Sequence, residues 1–311
     1  VPETDAVACR EGERMKTQHV IDVRENGYAV IRGFLNKDEV AALRRESEAI
    51  YAEGLKHHAT YRNKNLYFEV VNDPGNNTRT VPQAHWFSWI NPVFEQYRRS
   101  QKIFEVLAPL LGPDIKQIAN QLHWKAPGGK YTYYRMHQDV RFRSRPELFA
   151  NLDRYSLNLG LALNRQDASN GALKVVPGHH KRGYLGLAED GDGIMVGSTE
   201  QGAELKAVGI DPAEVVQLEM EPGDLAIWTL YTIHGSGPNV SNEPRILLID
   251  NYVRAEDSPE RGEWAFRDGR SVPLGDEPEI CKYEALRENP GPFYVEEKWT
   301  EEARAKQKLA G

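Results

Sequence analysis

A His-X-Asp triplet, His137-Gln138-Asp139, is followed far downstream by His234 in the run His234-Gly235-Ser236-Gly237-Pro238-Asn239, and then by Arg245. Brought together, these residues offer two imidazoles and one carboxylate to a single metal. That donor set is the facial triad that leaves positions open on non-haem Fe(II) for a cosubstrate and dioxygen, and it points to an oxygenase. In an extended strand, residues i and i+2 share a face, so His137 and Asp139 can reach one ion while Gln138 points away from it. Gln138 is carried as a candidate substrate contact. The triplet alone is a weak signal, because with nine histidines a His-X-Asp in a surface turn has roughly even odds of arising by chance.

The second half strengthens the reading. Pro222-Gly223-Asp224 forms a tight turn that feeds an apolar strand, Leu225 to Ile233, ending on His234 at a sheet rim. Arg245 follows eleven residues after His234, across a turn-rich stretch, and opens the apolar run Ile246 to Ile249. A hairpin-like return of this kind sets Arg245 near the metal, where its guanidinium can grip the distal carboxylate of a dicarboxylate cosubstrate and Ser236 can add a hydroxyl donor. The competing reading of Arg245 is a surface salt bridge. Arg141, Arg143 and Arg145 alternate just beyond the metal motif, so on a strand they share a face that could hold an anionic substrate group, against the alternative of a solvated basic loop. Arg141 is taken as the substrate contact of this set. His85, with Trp86 and Trp89, reads either as wall of a substrate chamber or as core. His179 and His180 are adjacent and would point to opposite faces of a strand, which favours a loop role over a ligand pair.

The elements that must position these groups fall into a mainly β pattern with flanking helices. Asn36 reads as the N-cap of a helix running to Gly54, and a second helix is expected from Val93 to Leu111, stopped by Gly112-Pro113. Residues 60–91 read as irregular and aromatic. From Ile115 onward, short β-prone stretches alternate with Gly, Pro, Asn and Asp: 115–124, 131–136, 156–163, 173–176, 215–218, 225–229 and 245–253. These are enough for a double-sheet jelly roll. A Gly-rich and acidic interval, 182–214, is a candidate lid. The expected organisation is a single catalytic domain over 1–311, with an N-terminal helical and irregular flank (15–114), a jelly-roll core (115–254) and a C-terminal appendage (255–311). The net charge of −7 argues against nucleic acid as a partner, and the chain holds no apolar run of membrane-spanning length. Two cysteines without CxxC spacing fit a reducing compartment, so the cytoplasm is the expected location. The sequence leaves the oligomeric state open.

The joint order of His137-Gln138-Asp139, Pro177-Gly178-His179-His180-Lys181, Pro222-Gly223-Asp224, His234 to Asn239 and Arg245 resembles the phytanoyl-CoA dioxygenase family of Fe(II)- and 2-oxoglutarate-dependent oxygenases, over about residues 25–255. The resemblance implies a double-stranded β-helix (jelly roll, cupin-like). It further implies Fe(II) on His137, Asp139 and His234, with Arg245 and Ser236 on the C5 carboxylate of 2-oxoglutarate. Residues 120–127 match a family strand that contacts the cosubstrate; Gln121 is the candidate contact, and Lys125 either adds a cation or caps the strand. Halogenating relatives replace the metal carboxylate by a small residue, so Asp139 favours oxygen transfer, with release of succinate and CO2. The segment 140–146 is more basic than a lipid substrate would call for, which points to a small organic metabolite. Desaturation, cyclisation or epimerisation by the same cofactors is the enzymatic alternative. A zinc hydrolase and a non-catalytic jelly-roll binding protein are the others.

Overall fold

Strands in the middle of the chain are apolar on both faces, as strands covered on two sides must be, and the computed structural model shows what covers them. It describes residues 18–72, 78–128, 133–143, 145–188, 203–279 and 289–295. The strands are β1 (Tyr28–Ile31), β2 (Tyr61–Asn63), β3 (Leu66–Asn72), β4 (Arg79–His85), β5 (Ile115–Lys125), β6 (Tyr134–His137), β7 (Ser156–Ala162), β8 (Leu173–Val176), β9 (Val216–Gln217), β10 (Leu225–Thr229), β11 (Ile233–Ser236), β12 (Arg245–Arg254), β13 (Glu263–Arg267), β14 (Arg270–Ser271) and β15 (Phe293–Tyr294). They form a large sheet in the order β1-β10-β7-β12-β5-β4-β3-β2-β15, with β13 also on β5, and a small sheet in the order β6-β11-β8-β9. All the pairings are antiparallel. Two facing antiparallel sheets around a cavity are the jelly roll.

The helices are α1 (residues 18–26), α2 (Lys37–Gly54), α3 (Pro92–Arg98), α4 (Gln101–Leu111), α5 (Leu152–Tyr155) and α6 (Ala203–Ala207). Asn36 caps α2 as its sequence predicts: Oδ1 accepts from Asp38 N and Glu39 N, and Glu39 Oε2 accepts from Asn36 N at 2.8 Å. The buried face of α2 (Val40, Leu43, Ile50) joins Phe94, Ile103, Leu107 and Leu111 of α3 and α4 over the outward side of the large sheet, against Leu122, Leu159, Leu225 and Leu248. A second cluster fills the space between the sheets, with Leu173 and Val175 meeting Ala226, Trp228 and Leu247. A third covers the outside of the small sheet, where Met136, Val176 and Ile233 pack on Leu187, Leu205 and Ile210.

Three expectations are corrected. The helix expected over 93–111 is two helices, because Ser100 turns extended (φ −69°, ψ 156°) and its hydroxyl accepts from Ile103 N, starting α4 afresh. The stretch 60–91 is largely ordered strand: β4 pairs with β5 and carries β3 and β2 outward, so aromatic residues there complete the large sheet. The strand expected to run from Leu225 to His234 breaks at 230–232, where the chain leaves the large sheet and re-enters as β11 of the small one. Part of the expected lid (189–202), the polar run 301–309, Cys9 and Cys281 lie outside the described residues.

Candidate active site

The split between β10 and β11 is what brings the site together. β6 ends on His137, and β11 sets His234 opposite it in register, so the two imidazoles are cross-strand neighbours with ring centroids 4.3 Å apart. Gln138 stays extended (φ −122°, ψ 130°), which returns Asp139 to the side of His137 before the chain closes into a 3-10 turn, Asp139–Phe142. Asp139 Oδ1 lies 3.3 Å from His137 Nε2 and Oδ2 lies 3.4 Å from His234 Nε2. One ligand atom from each of the three residues falls within 4.8 Å of the others. Such separations suit adjacent positions on a single ion.

Each imidazole is oriented from behind. His137 Nδ1 donates to Arg135 O at 2.7 Å and His234 Nδ1 donates to Thr232 O at 3.0 Å, so both Nε2 lone pairs face the carboxylate. Asn158 on β7 donates from Nδ2 to Asp139 Oδ2 at 2.7 Å, and is itself held by Asn251 on β12, whose Nδ2 donates to Asn158 Oδ1 at 2.9 Å. Burial pushes the His234 pKa down to about 4, opposed by Asp139 and reinforced by His137. Burial works against charge on Asp139 too, but His234, His137 and Arg143 outweigh it and hold the carboxyl below its usual range. A neutral imidazole beside an ionised carboxylate is the protonation state a cation requires.

A second polar cluster lies at the β5/β12 end of the same cavity. Arg245 and Lys125 are register partners on adjacent strands, both almost wholly buried. Arg245 donates from Nε and Nη2 to Gly171 O (3.2 and 2.9 Å), and Lys125 Nζ donates to Ser236 Oγ (2.6 Å) and to Gly237 O. Because Ser236 Oγ accepts from Lys125, its hydroxyl hydrogen is available to a further acceptor. Burial, then the neighbouring Arg245 and Lys174, push the Lys125 ammonium well down, and burial lowers Arg245 to about 10. Among the described residues, no carboxylate forms an ion pair with either. Two buried cations around a hydroxyl donor form a seat for an anion.

The sequence model of the family described as phytanoyl-CoA dioxygenase (PhyH) matches residues 23–247, which span both clusters. The chain belongs to the phytanoyl-CoA dioxygenase family. As a member it is an Fe(II)- and 2-oxoglutarate-dependent dioxygenase that also consumes O2. Among curated proteins it is similar to a probable alpha-ketoglutarate-dependent hypophosphite dioxygenase of Stutzerimonas stutzeri, 26% identical over 80% of this chain and 82% of that protein. It is also similar to a 2-aminoethylphosphonate dioxygenase of an uncultured bacterium, 22% identical over 79% of this chain and 84% of the relative. The apo structure of EctD from S. alaskensis shares the fold, with a TM-score of 0.57 at 19% identity, over 78% of this chain and 77% of that one.

In this family member the cavity measures about 450 Å³, and its walls include the triad together with His85, Gln121, Tyr134, Arg143, Ser236 and Arg245. Gln121 faces it from β5 at the end of a hydrogen-bonded chain: Gln83 Nε2 donates to Tyr134 Oη (3.0 Å), Tyr134 Oη lies 3.2 Å from His123 Nδ1, and His123 Nε2 lies 3.1 Å from Gln121 Oε1. With its oxygen turned to His123, the Gln121 amide has N–H donors left for a ligand. His85 lines the same wall, bonded to Gln83 Oε1 at 2.9 Å. Trp228 lines it as well, and its ring centroid is 5.4 Å from that of His234.

Two expected substrate contacts face elsewhere. The buried amide of Gln138 donates to Gly183 O and Tyr231 O and accepts from Leu185 N, bracing the segment behind the metal strand. Arg141 donates to the carbonyls of Leu187 and Ala188, away from the cavity. The strand alternation assumed for Arg141, Arg143 and Arg145 fails because the chain there is a 3-10 turn, with about three residues per turn. Arg143 alone of the three lines the cavity, and Arg145 pairs with Glu147 on the surface. His179 and His180 lie in a 3-10 turn, bonded to Glu214 and Arg24 O. The reading from sequence omitted Asn158, Asn251 and Tyr134. Asn158 and Asn251 each interrupt an apolar strand, and a polar residue at an inward strand position was the signal available.

Proposed function

We propose that His137, Asp139 and His234 hold the Fe(II), that Arg245, Lys125 and Ser236 bind the C5 carboxylate of 2-oxoglutarate, and that the enzyme hydroxylates a small polar organic molecule in the cytoplasm. The observation that carries the reading is the buried guanidinium of Arg245 beside Ser236 in the wall of the cavity that also holds the triad, with Lys125 donating to Ser236 from behind. When bound, the iron and 2-oxoglutarate together supply the activation of dioxygen, with loss of succinate and CO2. The chain does the rest. Arg135 O and Thr232 O fix the imidazoles, Asn158 fixes the carboxylate, and Gln121 donates toward the cosubstrate. Leu173, Trp228 and Leu247 supply apolar wall that limits water near the reacting centre. A cavity of about 450 Å³ suits a small ligand, in keeping with relatives named for hypophosphite and 2-aminoethylphosphonate. A metal-dependent hydrolase would give Arg245 and Lys125 no task.

Anaerobic addition of Fe(II) and 2-oxoglutarate should produce the weak visible charge-transfer band of the chelate. The band should vanish in His137→Ala and need far more cosubstrate in Arg245→Ala. A folded, metal-loaded wild type without the band would overturn the reading.

A further inference from the structure

Among the described residues β6, the strand that ends on His137, pairs with β11 alone and is an edge of the small sheet. An edge strand turns its outer N–H groups away from any neighbouring strand. Met136 N, one residue before His137, donates instead to Glu204 Oε1 of α6 at 2.8 Å. Gln138, between the first two ligands, is wholly buried and uses both amide hydrogens and its oxygen. Nε2 donates to Gly183 O and to Tyr231 O, each at 2.8 Å, and Oε1 accepts from Leu185 N at 2.7 Å. Arg141, two residues after Asp139, donates from Nη1 to Ala188 O at 2.6 Å and to Leu187 O at 3.2 Å. Leu187 joins the cluster of Met136 and Ile233, the residues that precede the two histidines. Residues 183–188 and α6 are thus fastened to the His-X-Asp segment before, between and after its two ligands.

The contacts bear on the third ligand as well. Tyr231 lies in the turn that delivers His234, and Val140 N donates to Leu230 O of that turn at 3.2 Å. Gln138 therefore joins the strand of His137 and Asp139 both to this turn and to residues 183–188. Ala188 stands at φ +58°, in the left-handed region that a Cβ disfavours, and the bond from Arg141 holds its carbonyl there. We propose that Gln138, Arg141 and Glu204 are positioning residues of the metal centre, and that residues 183–188 with α6 form an outer brace whose docking on β6 is coupled to metal binding. The metal is held tightly only while the brace is docked, and the metal in turn holds the brace. Coupling of this kind is reciprocal, so the factor by which undocking weakens the metal equals the factor by which the metal disfavours undocking. Loss of a partner behind a metal ligand sets that factor at about 10- to 100-fold. The proposal rests on the assignment of the metal to His137, Asp139 and His234 above.

The test uses Mn(II), a divalent probe that needs neither cosubstrate nor dioxygen. Titration gives its Kd, and hydrogen exchange at the Leu185 amide, which Gln138 Oε1 accepts, reads the brace. In wild type, saturating Mn(II) should slow exchange at Leu185 by about tenfold or more, and His137→Ala should abolish the effect. Gln138→Leu should raise the Kd for Mn(II) by a matching factor and leave Leu185 exchanging fast with or without metal. Arg141→Met and Glu204→Ala each sever one fastening, should raise the Kd in the same direction, and carry the test if the Leu variant does not fold. Glu204→Gln keeps an oxygen for Met136 N and should bring the Kd back to that of wild type. A merely structural role would lower the urea midpoint of the metal-free variants and leave the Kd of the folded protein unchanged. That result, or a wild type that binds Mn(II) without slowing at Leu185, would overturn the proposal alone. A folded wild type whose Mn(II) binding is absent or indifferent to His137→Ala would overturn the metal assignment and the proposal together.

Discussion

Each residue of the two clusters carries a separable task, so single substitutions should separate them. Lys125 lies beside Ser236 and Arg245 and does not touch the triad. Lys125→Met removes a charge-assisted contact worth on the order of 1.5 kcal/mol, so the Kd for 2-oxoglutarate should rise about tenfold, with the Kd for Fe(II) unchanged. Measured together by titration, equal losses for both ligands would show that Lys125 acts by holding the fold. Asn158 behaves in the opposite way. It touches the triad through the 2.7 Å bond to Asp139, so Asn158→Ala should weaken Fe(II) binding by about 10- to 100-fold, the usual effect of losing a partner behind a metal ligand, and leave cosubstrate affinity on the loaded protein near normal. The triad and Arg245 were legible in the chain because they sit in short linear motifs. Asn158 and Asn251 were not, because their pairing exists only through the register of β7 against β12.

At the scale of elements, what could be read from sequence followed from local pattern, and what could not depended on pairing. β8 matches its expected bounds, since turn residues delimit it on both sides, and β10 begins where Pro222-Gly223-Asp224 places it. Local pattern did not reveal that the run after Leu225 divides between two sheets, because 230–232 carry neither Gly nor Pro. Nor did it reveal that β2 to β4 extend the large sheet, since that needs β5 as a partner. The loop before β8 shows how one element serves the site. Gly171 presents its carbonyl to Arg245, sits at φ +77°, and leaves no room for a Cβ, which would meet Gly237 O and lie 3.0 Å from Lys125 Nζ. Gly171→Ala would combine left-handed strain of about 1–2 kcal/mol with a backbone collision beside both cations. The variant should lose 2-oxoglutarate affinity by about tenfold and melt several degrees below wild type. Unchanged affinity in calorimetry would mean that the loop does not set the position of Arg245.

Taken whole, the molecule keeps its charged chemistry on two opposite faces of one sheet. The face of β5 and β12 toward the small sheet holds the site, and the reverse face, under α3, holds a buried polar network. There Asp250 Oδ1 accepts from Gln117 Nε2 and Asn120 Nδ2, and Arg98 Nε donates to Gln117 Oε1. Burial pushes the Asp250 carboxyl up to about 7, only partly offset by Asn120, Arg98 and Gln117. An unfolded aspartate titrates near 3.9, so between about pH 4 and pH 7 the folded chain holds a proton that the unfolded chain has released. The associated stability is therefore complete below pH 4 and is lost as the pH rises through 7. Glu263, also pushed up to about 7 by burial, adds in the same direction. Asp250→Asn keeps an Oδ1 acceptor for both amides and has no charge to desolvate. Relative to wild type it should gain on the order of 2 kcal/mol between pH 4 and pH 8, read as a flatter pH dependence of the urea midpoint. Because the network lies behind the strands that carry Gln121, Arg245 and Asn251, 2-oxoglutarate binding should be unaltered at either pH. A variant that instead loses stability equally at both ends would show Asp250 to be ionised in the fold and paired with Arg98.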